Sequence, residues 1–189
     1  MKKIHLYGVM FSGILFACCT QKQEARRPVS HTSGTFIKES IERNKKLIVN
    51  EETLIKDIIK KDTAQNYIAS PKGYWYRYDL KSATETNTPK KGDIANFDYQ
   101  VTDINGKVIY TADELKTQNY VVDKQNIMIG LRDGIKLMKK GEKITFLFPS
   151  HMAYGYHGDN DRIGTNQPVI CTVTLNHFEP SKEKPKPIE

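Results

Sequence analysis

Three cysteines in 189 residues, two of them neighbours at Cys18 and Cys19, cannot build the even-numbered framework of a small disulfide-stapled domain. Stability therefore has to come from packing. No apolar run reaches the roughly 20 residues that cross a bilayer as a helix, so a polytopic membrane protein is excluded. Histidines are scattered (His31, His151, His157 and His177), and the closest pair, His151 and His157, lacks metal-ligand spacing. Asp159-Asn160-Asp161 has neither the glycine nor the closing glutamate of a calcium loop and reads as a polar turn. Neither a Gly-x-Ser-x-Gly elbow nor a glycine-rich phosphate loop is present, so hydrolytic and nucleotide-dependent chemistry has no support. Basic residues exceed acidic ones, 29 against 22, but as scattered pairs such as Lys45-Lys46 and Lys139-Lys140. Without a continuous arginine-rich stripe and interleaved aromatics, nucleic acid is not an expected partner.

What the chain does have begins with an address. Lys2 and Lys3 precede an apolar stretch over residues 4–17, too short to span a membrane and right for a secretory signal. Leu15-Phe16-Ala17-Cys18 resembles the bacterial lipobox, in which the cysteine is acylated and becomes the mature N-terminus. Cys18 is the expected lipid anchor, and several acyl chains hold a protein on a membrane far more firmly than one. The expected location is the cell envelope, tethered to a membrane. Loss of Lys2 and Lys3 leaves 27 basic against 22 acidic residues, a net of +5.

Residues 18–35 are polar, with Pro28 and Gly34, and read as a flexible tether. Helical periodicity runs through residues 36–69, with Asn50 a candidate cap between two helices and Glu51 and Glu52 in the first turn of the second. Leu54, Ile55, Ile58 and Ile59 give that helix an apolar stripe, for its own domain or for a second copy, which leaves dimerisation through these helices possible. From residue 70 the period becomes two. Strands are expected around Tyr74–Leu80, Ala95–Val101, Val108–Tyr110, Tyr120–Val122, Ile144–Phe148 and Val169–Leu175, with a hairpin turn at Asn105-Gly106. One helix, Leu131–Lys140, interrupts them. Strands, a helix, then strands predict an α+β fold: a bent antiparallel β-sheet wrapped round one short helix, behind a short helical N-terminal extension. Residues 180–189 form a tail unable to pack.

Several segments then recur in a fixed order: Ser70-Pro71-x-Gly73-Tyr74, Pro89-Lys90-Lys91-Gly92-Asp93, Phe97-Asp98-Tyr99, Asn105-Gly106-Lys107, Ile127-Met128-Ile129-Gly130-Leu131-x-x-Gly134-Ile135, Ala153-Tyr154-Gly155 and Ile163-x-x-Asn166-x-Pro168. Together they resemble the FKBP family of peptidyl-prolyl cis/trans isomerases over residues 70–179. The lipobox and helical extension look most like the gliding-motility-associated isomerase lipoproteins (GldI type). The resemblance implies rotation about X–Pro bonds in exported polypeptides, without cofactor or metal. It also implies site residues: Tyr99 as a wall, Ile127 and the Met128 backbone N–H before the helix, Leu131 as the floor, Tyr154 as a hydroxyl donor and Ile163 at the rim. Where the family has a pocket phenylalanine and an aspartate this chain has Ile109 and Tyr110, and Leu131 and Cys171 stand for an aromatic floor and an aromatic in the last strand. Loss of three aromatics implies weak catalysis, and leaves open a non-catalytic module that binds proline-containing segments.

Overall fold

The computed structural model describes residues 33–180, so the signal segment, Cys18, most of the tether and the tail lie outside the described residues. The chain divides into two compact units, Met1–Glu39 and Ser40–Glu189. Of the first, the described residues Ser33–Glu39 are helical, so the last three residues of the expected tether belong to a helix. That helix, α1 (Ser33–Lys61), is one 29-residue element and not two. Asn50 lies within it, because one mid-helix asparagine costs well under 1 kcal/mol, less than burying an isoleucine contributes. The inward stripe is also narrower than expected: Ile55 is fully buried and Ile58 and Ile59 half-buried, whereas Leu54 faces solvent.

Seven strands form one antiparallel sheet: β1 (Ile68–Ala69), β2 (Trp75–Leu80), β3 (Ile94–Asp103), β4 (Val108–Tyr110), β5 (Gln118–Val121), β6 (Lys143–Phe148) and β7 (Val169–Glu179). Their order is β1-β2-β6-β7-β3-β4, with β5 pairing β3. The long β3–β7 ladder runs from Ile94 opposite Glu179 to Asp103 opposite Val169. Period two holds where one face meets the core: Ala95, Phe97 and Val101 of β3 and Val169, Cys171, Val173 and Leu175 of β7 are buried. Along β6 the alternation disappears, since Ile144 through Phe148 are all buried. The outer side at β2 meets α1, where the Lys56 ammonium stands 5.8 Å over the Trp75 ring, and Asp62, just past the helix end, accepts from Arg77 at 2.7 Å.

Between β5 and β6 lies the central helix, α3 (Ile129–Gly134), extended by a 3-10 turn at Ile135–Leu137. It begins earlier and stops sooner than expected, since Met138 turns to extended backbone and buries its side chain. Two short elements carried too little periodicity to be expected. One is α2 (Ala112–Leu115), started by a capping box in which the Thr111 side chain accepts from the Glu114 N–H and Glu114 reaches back. The other is a 3-10 turn at Ser150–Met152.

How α3 seats on the sheet is decided at two glycines. A Cβ on Gly130 would stand 2.5 Å from ring carbons of Phe148, and one on Gly134 2.8 Å from Phe146. Those two rings are stacked, 5.3 Å apart and 8° from parallel. Leu131 and Ile135, on the same helix, are buried in the core this contact creates. Overpacking a core by one carbon typically costs about 1–3 kcal/mol. Gly130→Ala should therefore lower the unfolding free energy by about that amount, read as a lower denaturant midpoint at unchanged slope. A midpoint equal to the parent's would show that the helix can lift without penalty.

Candidate functional site

A cavity of about 440 Å³ opens where β3, β5, the start of α3 and the loop after β6 converge. That volume is in the range of small-ligand sites. Leu131 and Met128 belong to the start of α3, and Ile127 lies just before it. Phe97 and Tyr99 come from β3, two residues apart and hence on one face, with ring centroids 5.6 Å apart. Tyr154 is supplied by the loop after β6, and the remaining lining by Gln118, Asn119 and Tyr120 of β5 with Gln125 and Asn126. None of these side chains is charged.

The polar groups on the β5 side are largely committed to the fold. Gln118 donates to the Leu115 carbonyl at 2.6 Å, Asn119 accepts from Asn96 at 2.9 Å, and Gln125 accepts from the Val121 N–H at 2.9 Å. By contrast, the Tyr154 hydroxyl and the Met128 N–H have no hydrogen-bond partner among the described residues. Burial pushes the Tyr154 phenol well above the ordinary tyrosine range, and the nearby Tyr99, Cys171, Asp159 and Tyr110 act the same way. Burial likewise raises Tyr99. Both hydroxyls are therefore neutral donors in water near neutrality, set in an uncharged hollow with apolar walls on the β3 and α3 sides and amides on the β5 side.

Two sets of contacts hold the loop that carries Tyr154. At its near end the Ser150 carbonyl accepts from the N–H groups of Ala153 (3.0 Å) and Gly155 (2.8 Å), one on each side of Tyr154. Farther on, Asp159 accepts from the N–H groups of Asp161 (2.9 Å) and Ile163 (2.8 Å) and from the Tyr110 hydroxyl, which also reaches Asp161 at 3.2 Å. Arg162 covers the Tyr110 ring at 4.8 Å and donates to the Ile109 carbonyl (2.8 Å) and Glu114 (2.9 Å). Desolvation acts to raise the Asp159 carboxyl, but its hydrogen bonds prevail and hold it below the ordinary 3.8.

Of the residues expected at the site, the structure brings together Tyr99, Ile127, Met128, Leu131 and Tyr154. The other four lie off the cavity surface. Ile163 is 3% exposed and in the core, not at the rim, because its backbone closes a turn onto Asp159. Cys171 is wholly buried, close enough to Tyr99 and Tyr154 to raise both phenols, but behind the wall. Ile109 and Tyr110 are half-buried against the core, and Tyr110 ties down the distal loop. Phe97 and the β5 amides were not expected to line the cavity. Phe97 carried a readable signal, its i, i+2 relation to Tyr99. The β5 residues carried none, since their position follows from register, Phe97 opposite Gln118 and Ala95 opposite Tyr120. Among the described residues, no group of three or more His, Cys, Asp or Glu is placed to hold a metal ion.

Two outcomes follow from these environments. Burial pushes the Cys171 thiol far up, so it should resist a water-soluble alkylating reagent in the native chain and react after denaturation, as read by peptide mapping of the β7 segment. The depressed Asp159 carboxyl contributes stability that is complete above the unfolded value near 3.8 and is lost as pH falls through the folded one. Asp159→Asn should remove that part of the acid limb, measured as denaturant midpoints between pH 5 and pH 2.5.

Comparison with known proteins bears on the type of protein and on the fold. The family profile described as FKBP-type peptidyl-prolyl cis-trans isomerase matches residues 85–176. A protein of Neisseria meningitidis serogroup B named "Probable FKBP-type peptidyl-prolyl cis-trans isomerase FkpA" is 28% identical over 52% of this chain and 36% of its own length. One from Haemophilus influenzae, "Probable FKBP-type peptidyl-prolyl cis-trans isomerase", is 30% identical over 57% of this chain and 44% of its own. This chain thus spans less than half the length of either relative. The crystal structure of FkpA from Escherichia coli shares the fold at 22% identity, with a TM-score of 0.58 over 96% of this chain and 83% of that one. Residues 85–176, just under half of this chain, are thus similar to the FKBP-type peptidyl-prolyl cis-trans isomerases.

Proposed function

We propose that the chain accelerates cis/trans rotation about X–Pro bonds, and that the cavity between β3 and α3 is where it does so. The observation that carries this reading is a hollow of uncharged side chains in which a neutral hydroxyl, Tyr154, and a backbone donor, Met128, have no partner among the described residues. The uncatalysed barrier is about 18–20 kcal/mol and no bond is broken, so neither nucleophile nor redox group is called for. Water favours the planar imide because it solvates the charge separated between nitrogen and oxygen. An apolar cup removes part of that preference, and a donor that bonds better to the twisted form supplies more. A gain of about 10³–10⁵ in rate corresponds to roughly 4–7 kcal/mol. A buried prolyl ring and one or two hydrogen bonds are of that order.

In this reading Leu131 is the floor under the prolyl ring, Tyr99 and Ile127 its walls, the Met128 N–H holds a carbonyl of the substrate, and Tyr154 donates from the lip. Ile109, Tyr110, Ile163 and Cys171 shape the site from behind. The substrate class is proline-containing polypeptide, and the signal and lipobox favour exported proteins met at a membrane to which Cys18 anchors the chain. The likeness of lipobox and extension to the gliding-motility lipoproteins favours clients in that machinery. Among the described residues no helix is long and apolar enough to cross a membrane, so attachment in this scheme rests on the lipid. Phe36, Ile37, Ile41 and Val49 of α1 are exposed apolar residues and fit pairing with a second copy.

A second reading is favoured by the floor itself: Leu131 and Met128 offer aliphatic surface without the aromatic ring on which a proline stacks. The same cup then binds prolyl segments without turning them. A peptide assay of cis-to-trans conversion separates the two. The full chain should raise the conversion rate, and Tyr154→Phe should lower kcat/KM about three- to tenfold, the worth of one hydrogen bond of roughly 0.5–1.5 kcal/mol. Peptide binding with no rate enhancement at any concentration would establish the binding module instead.

A further inference from the structure

We infer that Glu51, on the N-terminal helix α1, is a positioning residue for the loop that presents Tyr154 to the cavity. Its kinetic consequence rests on the isomerase reading; its structural consequence does not.

Glu51 is 4% exposed, an unusual place for a carboxyl group, and no cation stands within ion-pair distance of it among the described residues. Both of its oxygens are spent on one partner. Oε2 accepts from the Ser150 N–H and Oε1 from the Ser150 hydroxyl, each at 2.7 Å, across 99 residues of sequence. Ser150 is itself 2% exposed. Its one remaining polar group, the carbonyl, accepts from the N–H groups of Ala153 and Gly155. Every hydrogen-bonding group of Ser150 is thus committed, two of them to α1 and the third to the two residues that bracket Tyr154.

Packing alone does not need this arrangement. Ile55, one turn along the same face of α1, is already buried. A buried carboxyl group is retained at a cost unless its acceptors are filled, and here they are filled by the residue from which the loop departs. In a water-excluded position those bonds are stiff, because any shift of Ser150 leaves an acceptor unmet. The span runs from Glu51 through Ser150 to the peptide groups around Tyr154 by direct hydrogen bonds. Glu51 also lies outside residues 85–176, so the extension supplies a part that the family segment does not contain.

A misplacement of about 1 Å at a reacting group can cost up to 10²-fold in rate. Glu51→Ala in the full chain should therefore lower kcat/KM by up to the roughly three- to tenfold loss of Tyr154→Phe itself, mostly in kcat, while the same change in a Tyr154→Phe background should cost less than about twofold, because the group being positioned is gone. Glu51→Gln should restore most of the rate: its carbonyl still accepts from the Ser150 N–H, and its amide can donate to the hydroxyl, which accepts as well as donates. Amide hydrogen exchange is the second measurement. In Glu51→Ala the Ala153 and Gly155 amides should exchange faster, while the Leu175 amide, bonded to the Glu142 carbonyl in β7, should keep its protection. Equal losses of rate in the two backgrounds, or unchanged exchange at Ala153 and Gly155, would overturn the inference. If the parent chain proves inactive, the isomerase reading fails and exchange alone decides the positioning. Should Glu51→Ala not fold, Ser150→Ala, which removes only the hydroxyl bond, carries the same comparison.

Discussion

The absence of two methyl groups sets where everything else can go. At Gly130 and Gly134 the central helix lies so close to the stacked rings of Phe146 and Phe148 that a Cβ at either position would fall inside van der Waals contact. The helix is held at that depth by further ties: Asp133 accepts from the Tyr74 hydroxyl at 2.7 Å and from the Lys72 ammonium. Because α3 sits deep, its first residues, Met128 and Leu131, form the bottom of a hollow and do not fill it. Core packing and the site are thus one constraint seen from two sides.

Around that floor the chain uses two kinds of attachment. β3 and β5 are fixed by ladder bonds, so Phe97, Tyr99 and Tyr120 have no freedom beyond their rotamers. The loop after β6 has no ladder, and its position depends on contacts with distant parts of the sequence: Glu51 at its root, Tyr110 at Asp159 farther along, and the Ile109 carbonyl, which the loop's own Arg162 reaches. A loop tied at intervals can place one side chain well while the stretches between ties remain adjustable.

Much of this architecture was legible in the residues, and what was not has identifiable causes. Alternation gave β3 and β7, because each presents one face to the core and one to solvent. It said less about β6, which is covered on both sides, and nothing about the two-residue β1. Asn50 with Glu51 and Glu52 carries every local mark of a helix start. The marks misled because Glu51 answers to Ser150, 99 positions away. Similarly, Tyr110 and Cys171 were placed in the pocket by correspondence of motif. The fold turns one outward to Asp159 and seals the other behind the wall. The five residues that do meet at the cavity lie in segments whose order, not whose individual identity, made the resemblance visible. The amides of β5 could not be anticipated, since strand register is a property of pairs.

The uncharged lining has a consequence for the medium in which the protein operates. No carboxylate, imidazole or amine lines the hollow, and two of its three phenols, Tyr99 and Tyr154, are shifted further from neutrality by their burial. A site of that composition has no optimum of its own to defend. Whatever it does to a polypeptide it does alike in acidified or alkaline surroundings, limited only by how long the scaffold that shapes it stays folded.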